Sequence, residues 1–114
     1  MKRKKNDAAV KVERGSTNVY TDLGFADADR MLVKAELTAA IASIIAKRGL
    51  SQGPAAELLG LTQPKLSNLL RGRFRGFSER RLMDCLTRLG RDVQIVVRDK
   101  PRSRASGRLS VIVL

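Results

Sequence analysis

Apolar residues recur along the first half of the chain at Val33, Leu37, Ile41, Ile44 and Ile45. Spacings of four, four, three and one place them on one stripe of a helix. The pattern predicts a helix from Ala26 to Arg48, with alanines filling much of the remainder. Asp27, Asp29 and Glu36 lie toward its start and Lys47 and Arg48 at its end, the arrangement that suits the helix dipole. Gly49 follows as a stop. Two short apolar segments come next, each with a hydroxyl residue in front and a glycine behind. Ser51 is a candidate N-cap for a helix running through Leu59 to Gly60, and Thr62 for one running to Arg71 and Gly72. Ser78 caps a fourth helix with Leu82, Met83, Cys85, Leu86 and Leu89 on its inner side and Gly90 as the stop.

Both short helices carry a proline near the start. Counted from the caps, Pro54 is the third helical residue of one and Pro64 the second of the other. First-turn N–H groups have no acceptor inside the helix, so proline there removes little and its fixed φ suits the turn. The prolines therefore mark beginnings. Two helices of about nine residues joined by Gly60-Leu61 form a helix-turn-helix.

The period then changes. In "DVQIVVRD" (92–99), Val93, Ile95 and Val97 alternate with Gln94, Val96 and Arg98, which predicts a strand. A lone strand needs a partner. A second copy of the chain would supply one as a two-stranded antiparallel ribbon, with Val93, Ile95 and Val97 as the dimerisation residues. An intrachain hairpin with "LSVIVL" (109–114) is the rival, over a long linker. The expected organisation is a basic N-terminal arm (1–18), a helical helix-turn-helix domain (19–91), the strand (92–99), and a basic linker with an apolar tail (100–114). "VYTDLGF" (19–25) is expected to dock irregularly on the core. The fold class is mainly α: four to five helices followed by one strand.

Charge changes what this frame is for. The 114 residues carry a net +12, unevenly spread. Residues 1–15 hold six Lys/Arg against two acids, 16–46 two against four, and 47–114 fifteen against five. Such a balance implies attraction to a polyanion, most often nucleic acid. Aromatics are only 4% and Trp is absent, so the core must be aliphatic. There is no His, which excludes Cys–His and Ser–His catalytic pairs. Neither a metal cluster nor a phosphate loop appears, so no cofactor and no enzyme activity are expected. Cys85 is the single cysteine, best read as a buried core residue, and it fits a reducing compartment. No apolar run approaches a membrane span, and the basic start lacks the hydrophobic stretch of a secretory signal.

The stretch "LSQGPAAELLGLTQPKLSNLLRG" resembles the phage-repressor-type (XRE) helix-turn-helix. The matching residues are Gln52, Ala56, Gly60, Leu61, Leu66, Ser67 and Gly72. Ala55 departs from the larger apolar residue usual there, and Leu70 from the frequent Glu. On the second helix Leu66, Leu69 and Leu70 are expected to face the core, leaving Pro64, Ser67, Asn68 and Arg71 free, flanked by Gln63 and Lys65. A recognition helix presents its N-terminal residues to the major groove. The Gln63 and Asn68 amides suit adenine edges, and Pro64 offers only apolar contact, as to a thymine methyl. Lys65 and Arg71 can reach bases or phosphates, and Thr62 completes the candidate DNA-facing set. The resemblance implies a phosphate contact for Gln52, and Arg73 and Arg75 are further phosphate candidates. A twofold dimer would set two such helices about 34 Å apart on a palindromic operator.

More widely, "NVYTDLGFADADRMLVKAEL" and "GFSERRLMDCLTRLGRDVQIVVR" flank the motif as they do in HigA-like antitoxins of type II toxin–antitoxin modules, which residues 18–100 resemble. That resemblance implies a small cytoplasmic bacterial protein that neutralises a RelE-like mRNA-cleaving toxin and represses its own operon. Because such toxins are usually basic, Asp22, Asp27, Asp29 and Glu36 form a candidate toxin-binding surface. The alternative reading of the same acids is complementation of their own helix dipole. The basic arm could follow DNA phosphates or the minor groove. The rival functions are a stand-alone prophage-type repressor and a general basic RNA- or ribosome-binding protein.

Overall fold

The computed structural model describes residues 28–114. The arm, the "VYTDLGF" segment, Asp22 and Asp27 lie outside the described residues. Four helices are present among those described: α1, Ala28–Lys47; α2, Gln52–Leu59; α3, Gln63–Leu70; and α4, Glu79–Arg88. Residues 34–94 form one compact unit, which holds most of α1 and all of α2, α3 and α4; residues 95–114 belong to a second.

The helix ends follow local chemistry. The Thr62 hydroxyl accepts from the Lys65 N–H at 3.3 Å, and the Ser78 hydroxyl from the Arg81 N–H at 3.0 Å. Each satisfies one of the donors a helix start leaves open. Ser51 stands at the N-cap of α2 with extended backbone, but its hydroxyl makes no capping bond. With Gln63 as the first helical residue, Pro64 is the second, where its missing N–H is not needed. α2 stops at Gly60, whose φ of 69° is left-handed; the Gly60 and Leu61 amides turn back onto the Glu57 and Ala56 carbonyls.

The core of the 34–94 unit is aliphatic. Leu37, Ile41, Ile44 and Ile45 of α1 are buried, as are Ala55, Ala56 and Leu59 of α2 and Leu66 and Leu69 of α3. Leu82, Cys85, Leu86 and Leu89 complete it from α4 and its end. Burying one such Leu contributes about 1.5–3 kcal/mol. α2 packs on α3 and on α4, and Ala56 lies buried on α2, where a larger side chain would force its neighbours aside. Leu70 and Met83 are half-buried rather than core. Phe74, in the loop "RFRGF", is a core residue that no periodicity announces.

The expected strand at 92–99 is absent: among the described residues none is in a strand. Val93 is half-buried, while Ile95 and Val97 are 80% and 86% exposed. Val96, on the opposite side of the alternation, is 65% exposed as well. Alternation places side chains on two faces, but a strand exists through its ladder, and residues 92–99 are in none. The rival hairpin fails equally, since 109–114 is not a strand and Leu109, Ile112, Val113 and Leu114 are exposed.

Candidate nucleic-acid interface

Thr62, Gln63, Pro64 and Lys65 are all exposed at the start of α3, and Asn68 and Arg71 continue that face. Ser67 is half-buried between this face and the buried Leu66. The opposite side of the helix is anchored by Leu66 and Leu69, neither of which has accessible surface. α3 is therefore fixed from behind and polar in front. Gln52 is exposed at the start of α2, and Arg73 and Arg75 are exposed after α3.

Two interactions tie the candidate readers to their surroundings. The Arg73 guanidinium donates to the Asn68 side-chain oxygen at 3.4 Å, and the Arg73 amide donates to the Asn68 main-chain oxygen at 2.9 Å. Arg73 thus adjoins a residue of the polar face as well as being available to phosphate. The Gln63 amide nitrogen lies over Gly53, 3.0 Å from where a Cβ on that glycine would be. The Lys34 ammonium donates to the Arg75 carbonyl at 3.4 Å and tethers the loop after α3 to α1.

The turn between α2 and α3 is held from α4. The Arg81 guanidinium donates to the Gly60 carbonyl at 3.3 Å, and Arg88 makes a longer contact, 3.5 Å, to the Leu58 carbonyl. Both cations meet the carbonyl end of α2, where the helix dipole is negative. Arg88 also pairs with Asp84 at 3.0 Å, an exposed (i, i+4) pair that contributes about 0.3–0.5 kcal/mol. Sequence reading treated both arginines only as positive charge. Their spacing of seven, two turns on one helix face, was the available signal.

Beneath that face, Cys85 is fully buried. Burial pushes its thiol up from the ordinary 9.0; Arg81 lowers it, Asp84 raises it and Arg88 lowers it, with burial the largest effect. Of the acids proposed for a protein partner, Asp29 is exposed in the first turn of α1 and Glu36 is half-buried. No group of His, Cys, Asp and Glu among the described residues could hold a metal ion. No helix among them is long and apolar enough to cross a membrane.

Two short helices at a left-handed glycine turn, the second showing a polar N-terminal face, define a helix-turn-helix DNA-binding protein. The family model described as a helix-turn-helix domain matches residues 19–98, and the chain belongs to that family. A solved structure provisionally named an XRE family transcriptional regulator is 45% identical in sequence. It superposes with a TM-score of 0.74 over 77% of this chain and 99% of that one. No curated protein matches the chain. The relationship is that of a DNA-binding transcriptional regulator, a class whose members are typically not enzymes.

Proposed function

We propose that the protein is an antitoxin and autorepressor: a homodimer that binds a palindromic operator through α3 and neutralises a RelE-like toxin. The observation that carries the DNA half is the exposed face of α3, where Gln63 and Asn68 offer amides, Pro64 an apolar surface, and Lys65 and Arg71 positive charge. In this reading Gln63 and Asn68 read bases, Gln52, Arg73 and Arg75 hold phosphates, and Thr62 belongs to the DNA-facing set. Dimerisation is assigned to the segment with Val93, Ile95 and Val97, because the exposed apolar Ile95 and Val97 suit pairing with a second copy. The toxin half rests on the resemblance of residues 18–100 to HigA-like antitoxins, with Asp29 as the exposed described member of the acidic set.

The two halves have separate tests. Gln63→Ala and Asn68→Ala each relax base preference at single positions of a selected site by about 1–3 kcal/mol. Unchanged preference in both variants removes α3 as the reader. Co-expression with the product of the adjacent small reading frame yields a stable complex and restores growth. Neither complex nor rescue leaves a stand-alone repressor.

A further inference from the structure

Gly53 is the second residue of α2, and glycine is a poor choice there. It is a weak helix former, and its backbone is not among the left-handed glycines, so any L-residue could adopt it. The demand for glycine comes instead from a neighbouring side chain. A Cβ at position 53 would stand 3.0 Å from the Gln63 amide nitrogen, and beyond Gln52, Pro54 and the backbone of α2 itself no other described atom comes within 4 Å of it. The missing side chain leaves a notch on α2, and the amide of the first residue of α3 occupies it. A glutamine on an exposed surface samples many rotamers; one resting on a helix backbone samples fewer.

We propose that Gly53 is a specificity-determining residue. It seats the Gln63 side chain against α2 and so fixes the direction in which its amide meets a base edge. The residue acts through Gln63 and touches no base itself. The proposal deepens the reading of α3 as the recognition helix and rests on it. A methyl group at position 53 meets only the far end of a flexible side chain, so the fold accommodates it while Gln63 is displaced.

The test is selection of preferred sites from randomised duplex DNA by the full chain, as wild type, Gly53→Ala, Gln63→Ala and the double variant, with thermal unfolding of each. Gly53→Ala is expected to melt at or above the wild-type temperature. Its preference should change about tenfold at the base pair where Gln63→Ala loses preference. In the Gln63→Ala background, Gly53→Ala should change nothing further. Wild-type preference in Gly53→Ala overturns the proposal. So does an equal loss of binding with and without Gln63, which would place the glycine against a phosphate, and so does a marked fall in melting temperature. A wild-type protein that selects no sequence overturns the recognition-helix reading, and the proposal with it; that result is read from the wild type alone, before any variant is compared.

Discussion

Arg73 and Arg75 stand two residues apart, both exposed and both suited to phosphate. Arg73 also bonds the Asn68 side chain. Arg75→Ala should therefore weaken all duplex sequences alike and lower the salt slope by about one. Arg73→Ala should do the same and, if Asn68 reads a base as proposed, broaden preference at that base pair in addition. Salt titrations on a preferred and a scrambled duplex separate the two effects. Thr38 is a buried residue whose hydroxyl has no partner among the described residues. Thr38→Val keeps the shape and removes the unmet group, and should raise unfolding stability by about 1 kcal/mol in denaturant titration. Cys85 links stability to pH. Its folded thiol titrates above the ordinary 9.0, so the native state retains the proton at pH values where the unfolded chain has lost it. That contribution is full below pH 9.0 and declines as pH rises toward the folded value. The stability difference between wild type and Cys85→Ala should therefore narrow above pH 9.0, and a constant difference would contradict it. The sequence placed Cys85 in the core by helical position alone. It missed Phe74, because a single aromatic in a basic loop carries no period, and it over-buried Leu70 and Met83, which sit at the margin of their apolar stripes.

At the scale of elements, caps and stops were the legible part. Thr62 and Ser78 cap with their hydroxyls, and Pro64 fixes the register of α3. These are local rules, satisfied within four residues, so the sequence carries most of them, although the Ser51 hydroxyl makes no capping bond. The strand expected at 92–99 failed, because a strand depends on a second backbone that no local pattern supplies. The turn between α2 and α3 shows a third case. Its glycine could be read from the sequence; the Arg81 and Arg88 clamp could not be placed until α4 was packed. Gly60→Ala combines a left-handed residue with a Cβ 3.0 Å from the Arg88 guanidinium. It should cost about 1–2 kcal/mol from backbone strain, plus displacement of the clamp. Gly72→Ala carries similar strain at φ 86°, with nothing within 4 Å of the new Cβ. Gly60→Ala should therefore lower the melting temperature more. Equal losses would mean that the Arg88 contact contributes nothing to the turn.

At the scale of the molecule, charge and fold point to the same ligand. A net +12 attracts any polyanion without distinguishing one from another. In the proposed reading, the helix-turn-helix makes that attraction sequence-specific by holding one polar helix face forward on an aliphatic core. In the proposed twofold dimer, two such faces would require an inverted repeat with half-sites about 34 Å apart. The most direct measurement is footprinting of the full chain on the DNA upstream of its own operon, repeated at rising salt with excess unrelated duplex as competitor. Protection of an inverted repeat with that spacing, surviving the competitor and lost in Gln63→Ala, is the predicted result. Uniform coverage that the competitor removes would contradict the account and leave a general polyanion-binding protein.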